Sequence, residues 1–257
     1  MKVFPFKKTS TDKNIAVFTW DDNSATHYSL IAPLFDKYDL KCTFYINPGE
    51  INFRKLYLDG YRELVTKGYE IGSHGFTHHH FSSLPYEAFE QQLIKAKNEI
   101  QSKFDITPTT FAFPHHDFNE KMLQTARKYY FETRNTLFNS KRFSLKTASN
   151  IFNIKEAIDS AIIDQHTLVF SGHGLLDTNT LRVLGEYEPL PTEMLMKILS
   201  LLTDYRNVQI LTFEQAALLT FLCQHCEICN NQAFITDNQL DFLRGFGIDA
   251  ERISKLL

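Results

Sequence analysis

The chain has one tryptophan, four cysteines and no long apolar run, and each shortage narrows what it can be. Cys42 stands alone and the others cluster at Cys223, Cys226 and Cys229, which is no disulfide framework for a chain of 257 residues. No window approaches the ~20 consecutive apolar residues of a membrane-spanning helix. The opening Met1-Lys2-Val3-Phe4-Pro5-Phe6-Lys7-Lys8 lacks the apolar stretch of a signal peptide, so the chain as written is expected to be cytoplasmic. An excess of one charge is missing too. Against 30 acidic residues stand 27 basic ones, a net charge of −3, and no general attraction to nucleic acid or anionic membranes is expected. Internal repeats and low-complexity segments are absent. What is abundant is phenylalanine, 23 residues with 11 tyrosines beside them, most simply the material of a Phe-rich core. The length suits one large α/β domain or two small ones.

Apolar runs and helical patterns alternate along the chain. Strands are expected at 15–20, 41–46, 69–73, 110–114, 130–134, 167–171 and 207–211. Between them, helices are expected at 27–38, 57–67, about 85–104, 119–129, 193–205 and from 212 or 214 to 222. Residues 135–165 read only as a loop, with room for a short strand and an amphipathic piece around 154–163. Strands alternating with helices of 10–15 residues imply βα units and a mainly parallel sheet. The expectation is an α/β fold: a distorted, TIM-barrel-like (β/α) barrel of about seven strands over residues 1–221. A small helical addition is expected over 222–257.

In such barrels chemistry sits at the C-terminal ends of the strands. Here Asp21-Asp22, His74, Pro114-His115, Arg134 and His173 each directly follow an apolar run, so all are expected on one rim. Two adjacent acids can take different jobs, one binding a metal and the other moving a proton. His74-x-x-x-His78 has the spacing of a metal-binding histidine pair, and Asp22 is the natural third ligand. Two imidazoles and one carboxylate leave coordination positions open, as a catalytic metal requires. A metal-dependent hydrolase is the leading reading.

Thr19-Trp20-Asp21-Asp22, followed by His74-x-x-x-His78, resembles the polysaccharide deacetylases of carbohydrate esterase family four, the NodB-homology family. Their first motif is Thr-Phe-Asp-Asp-Gly and their second His-Ser/Thr-x-x-His. Lys41-Cys42-Thr43-Phe44-Tyr45 is similar to a further strand of the family, Phe111-Ala112-Phe113-Pro114 to its third motif, and Leu168 to His173 to its last. The resemblance runs from about Ile15 to Ala217. It implies a distorted (β/α) barrel and hydrolysis of an acetamide, usually on N-acetylglucosamine units, with one divalent metal, commonly zinc. By position it implies Asp21 as general base, Asp22, His74 and His78 as metal ligands, and His173 as the acid that protonates the leaving amine. The backbone N–H of His115, after Pro114, would resemble the family's oxyanion contribution.

The sequence also departs from the pattern. Trp20 replaces Phe, Asn23 replaces Gly, and Gly75 replaces Ser/Thr after the first histidine ligand. Ala112 stands where many members have an Arg that braces the base; Arg134, ending the next strand, is a candidate to orient Asp21 instead, or to contact substrate. His115 and His116 replace Tyr-Gly, and no Asp-Trp motif is visible in 140–160. Alternative readings are therefore a same-fold hydrolase of another bond (an O-acetyl ester or a formamide), or a catalytically inactive carbohydrate-binding homologue. With no leader in view, a small glycoconjugate or a lipid-linked sugar is a more natural substrate than external polymer. His27 is expected to be a helix-start residue near the rim, His79 and His80 exposed loop residues or secondary contacts, and Cys223-x-x-Cys226-x-x-Cys229 with His225 either small core residues or a structural metal site.

Overall fold

A computed structural model describes residues 1–6, 14–50, 55–176 and 187–257. In chain order the strands are β1 Lys2–Pro5, β2 Asn14–Trp20, β3 Thr43–Ile46, β4 Glu70–Ser73, β5 Thr110–Phe111, β6 Glu132–Thr133, β7 Ser140–Ser144, β8 Thr167–Gly172, β9 Leu175–Leu176, β10 Leu190–Pro191, β11 Val208–Leu211, β12 Glu227–Cys229 and β13 Gln232–Ile235. The α-helices are α1 Ala32–Asp36, α2 Lys55–Thr66, α3 Tyr86–Phe104, α4 Glu120–Ala126, α5 Ile151–Ile163, α6 Thr192–Asp204, α7 Phe213–His225, α8 Asp237–Gly245 and α9 Ala250–Leu256.

Seven parallel strands in the order β6-β5-β4-β3-β2-β8-β7 curl through 239° into an incomplete barrel, as the βα alternation predicts. β2 is its axis strand. One edge of β2 pairs with β8 over Ala16–Trp20, and the other is shared, by β11 at Asn14–Val17 and by β3 at Thr19 and Trp20. β2 is buried on both faces, which explains its unbroken apolar run. The outward face packs Phe18, Phe44 and Phe170 against α1, α2, α5 and α6. Inside lie Val17, Tyr45, Ala112 and Val169, and the start of α7 closes this interior with Phe213, Ala216 and Ala217. A capping box holds that start, with Thr212 and Gln215 each bonding the other's backbone N–H.

One expectation changes. The segment after 222 is not purely helical: β12 and β13 form an antiparallel hairpin, and β1, from the N-terminus, adds to it as a third strand. The residue 222 boundary falls inside α7. In the stretch 135–165 the short strand for which the sequence leaves room is β7, an edge strand paired with β8, and the amphipathic piece lies in α5.

Candidate active site

Asp21 leaves the end of β2 with its backbone N–H donating to Gly172 at the end of β8, 2.9 Å away. Its carboxylate is buried and gripped by Arg134 in a two-pronged pair, Nη1 to Oδ1 and Nη2 to Oδ2, both 2.7 Å. Arg134 follows β6, its N–H bonded to Phe111 at 2.8 Å, and Nη1 also donates to the Thr19 hydroxyl at 3.0 Å. The guanidinium is therefore engaged with Asp21, and of the two parts the sequence allowed it, brace or substrate contact, the geometry is that of the brace. Burial alone would raise the Asp21 pKa; the Arg134 charge and hydrogen bonds, with His74 nearby, outweigh it and hold the carboxyl below its usual range.

Asp22 does not take its direction from the strand pleat. It adopts φ 72° and Asn23 φ 54°, a left-handed reversal that turns the second carboxylate back over the rim. The Asn23 side-chain amide locks this turn to Asn47, donating to its carbonyl and accepting from its backbone N–H, both at 2.9 Å. His74, after β4, is 2 % exposed and donates Nδ1–H to the Ala112 carbonyl at 2.8 Å. A carbonyl only accepts, so this bond fixes the tautomer and leaves Nε2 as a bare lone pair. His78 reaches the same place by a turn, not along a helix. Gly75 at φ +82° makes the bend, Asn47 bonds the carbonyls of His74 and Gly75, and the His78 N–H donates to Glu50 at 2.9 Å. Burial first, opposed by Asp22, leaves the His78 pKa at about 4, neutral near pH 7.

Asp22 Oδ1 lies 3.4 Å from His74 Nε2 and 3.2 Å from His78 Nε2. It is buried and has no hydrogen-bond partner among the described residues, and the three ligand atoms sit within 4.8 Å of one another. Bare imidazole lone pairs facing a carboxylate oxygen repel unless a proton or cation lies between them. Burial lowers the His74 pKa, yet Asp21 and Asp22 raise it overall, as expected where an acidic pair draws positive charge onto its neighbour. The donor set, two nitrogens and one oxygen, suits zinc.

His173, after β8, places Nε2 3.6 Å from Asp22 Oδ2. Its Nδ1 is buried without a partner among the described residues. Its backbone carbonyl accepts from His27 Nε2 at 2.7 Å, while His27 Nδ1 meets the Tyr61 hydroxyl at 2.7 Å. His27 is fully buried, and desolvation pulls its pKa to about 4. A single π-helical turn, His27–Ile31, turns it inward. His27 is thus no rim residue but the support beneath His173. The sequence hint was a histidine on the apolar face with Leu30, Ile31, Leu34 and Phe35, where a buried ring needs two partners.

His115 and His116 follow Pro114 in left-handed conformation, φ 54° and 61°. The His115 ring stacks on His80 at 3.8 Å and meets His78 edge-on at 4.2 Å, so the array His74–His78–His115–His80 runs from the buried ligand to the surface. Asp21, Asp22, His74, His78, His115 and His173 line one cleft of about 660 Å³ at the C-terminal rim. Arg142 of β7 also lines it, a residue the sequence reading missed. Among the described residues, Cys223, Cys226, Cys229 and His225 do not converge as a metal-binding group.

Fold and rim together define a distorted (β/α) barrel of the carbohydrate-deacetylase type. The polysaccharide deacetylase family model matches residues 8–133, just under half of the chain. A protein of Bacillus subtilis (strain 168), described as uncharacterized protein YlxY, is 25% identical over 123 residues, 48% of this chain; the match spans only 38% of that relative's length. Among solved structures, the Xyl-CE4 domain of a multidomain xylanase from the hindgut metagenome of Trinervitermes trinervoides superposes with TM-score 0.59 at 15% identity, covering 84% of this chain and 93% of that one. Peptidoglycan deacetylase PdaC from Bacillus subtilis gives TM-score 0.57 at 15% identity, covering 83% and 94%. A CE4 family pseudoenzyme from Bacillus anthracis gives 0.54 at 17%, covering 80% and 66%. At these identities the likeness is one of fold.

Proposed function

We propose that the protein is a metal-dependent hydrolase that removes the acetyl group from an N-acetylated sugar or glycoconjugate. The observation that carries this is the orphaned Asp22 Oδ1 set against two histidine Nε2 atoms, a cation site built beside a braced carboxylate. Asp22, His74 and His78 would hold one divalent ion, zinc by the donor set. When bound, the ion supplies Lewis acidity, lowering the pKa of water and polarising the amide carbonyl.

The rest of the chemistry belongs to the chain. Asp21, kept ionised and oriented by Arg134, accepts the proton of the attacking water. His173 protonates the leaving amine, which would otherwise depart as a poor leaving group. The backbone N–H of His115, presented by the Pro114 turn, faces the developing oxyanion. The family-model match over residues 8–133 supports an acetylated carbohydrate as substrate. Asp21→Asn should retain metal and lose at least about a hundred-fold in turnover of an N-acetylglucosamine oligomer. A rate unchanged in that variant rules out Asp21 as the base.

A second reading, an inactive homologue that keeps the metal, draws on the His173 Nδ1 left without a carboxylate partner. It predicts metal binding with no turnover in the wild type on any acetylated, O-acetylated or formylated sugar.

A further inference from the structure

The cleft also carries, from β7, a second guanidinium that the proposed chemistry does not use. Arg142 lies in β7 opposite Val169 of β8, and Ser144 lies opposite Ser171. Val169 belongs to the barrel interior, so this register directs Arg142 and Ser144 inward, and both line the cleft with Ser171. The Arg134 charge is matched by Asp21. Arg142 has no such match. Among the described residues its side-chain partner is the neutral Nδ1 of His116, at 3.1 Å, an atom that Asn135 also contacts. Glu188, a further acid on the cleft rim, lies 3.9 Å from Lys146. Arg142 is exposed to the cleft; partial desolvation, and then the neighbouring Arg134 charge, lower its pKa against the opposing charge of Asp21.

We propose that Arg142, with Ser144 and Ser171 beside it, forms an anion subsite, and that the preferred substrate is an N-acetylated sugar bearing a carboxylate or phosphate substituent. This rests on the deacetylase reading of the same cleft. An arginine suits the task because its planar fork binds either oxyanion through two parallel N–H bonds. The serine hydroxyls add neutral donors next to it. His116, held neutral, accepts from the guanidinium and keeps it turned to the cleft while leaving its charge unbalanced.

The test compares kcat/KM on three acetamido sugars: a neutral N-acetylglucosamine oligomer, the same sugar carrying a lactyl carboxylate, and N-acetylglucosamine 1-phosphate. The wild type should favour at least one acidic substrate over the neutral one by about ten-fold or more, and which one separates carboxylate from phosphate. In Arg142→Gln that ratio should collapse towards one, and Arg142→Lys should restore part of it. Raised salt should shrink the wild-type ratio and leave the Arg142→Gln ratio flat. Equal kcat/KM on all three in the wild type, or a ratio unchanged in Arg142→Gln, overturns the subsite and leaves the deacetylase reading standing. If the wild type turns over none of them, equilibrium binding of the same sugars decides. An Arg142-dependent preference for an acidic sugar then supports the subsite while the deacetylase reading fails, and no preference overturns the subsite as well.

Discussion

At the scale of single residues, the Asp21–Arg134 pair decides whether the site can work. Arg134→Gln leaves a buried carboxylate without its counter-charge, a loss on the order of 3 kcal/mol in stability for a pair this enclosed. It should also move a rate profile. With Arg134 present the Asp21 pKa is lowered, so the base stays ionised through the usual carboxylate range and the acid limb of kcat/KM lies below that range. Without it, burial dominates and raises the pKa, so the acid limb should shift to higher pH; an unmoved limb in a folded variant contradicts the assigned base. How legible these residues were follows from their neighbours. Asp21, Asp22, His74, Arg134 and His173 each stand next to an apolar run, and that adjacency is local information. Which of its two parts Arg134 takes needs β6 placed on the far side of β5, β4 and β3 from β2, and the His27 support joins residues 146 apart. No spacing rule reports such contacts.

At the scale of elements, the base of the barrel holds a buried acid that ties four of them together. Glu70 of β4 accepts from Thr43 of β3 at 2.7 Å, from Thr110 of β5 at 2.5 Å and from the Glu214 N–H of α7 at 2.8 Å. Burial, then the charge of Glu214, raise its pKa to about 7. Because the folded state binds this proton more tightly than the unfolded state, Glu70 lowers stability as pH rises from about 4.5 to 7, by up to ~3 kcal/mol. Glu70→Gln should remove that slope: the variant's stability relative to wild type should climb across this range, and a constant difference in urea unfolding would refute the assignment. The strands in contiguous apolar runs were readable because burial on both faces imposes such runs. β7, Ser-Lys-Arg-Phe-Ser, is an edge strand with no run to see. The β12–β13 hairpin did carry a signal. Asn230-Asn231, φ 50° and 59°, is a two-residue turn with both centres left-handed, between Cys229 and its partner Gln232.

At the scale of the whole molecule, both chain ends pack as one layer against the barrel base. Phe4, Phe6, Leu218, Leu222, Ile235, Leu243 and Ile253 share one apolar cluster that also takes in Leu211 of β11. One charged link crosses into the barrel: Arg252 of α9 meets Glu214 at 2.8 Å and the Thr107 carbonyl at 3.0 Å. Glu214 is buried beside Glu70, so Arg252→Ala leaves two acids facing each other. With Arg252 partly exposed, we expect a loss of about 2 kcal/mol, read as a lower urea midpoint; an unchanged midpoint would make the link incidental. The terminal layer was hard to read from sequence because β1 and β13 pair across nearly the full length of the chain. Among the described residues no helix is long and apolar enough to cross a membrane. The central claim is a cation held by Asp22, His74 and His78, and the most direct measurement is divalent metal content of the purified protein beside a His74→Ala, His78→Ala double variant. The account predicts one ion per chain in the wild type and none in the variant. Metal kept by the variant, or none in the wild type after soaking with zinc, would contradict it.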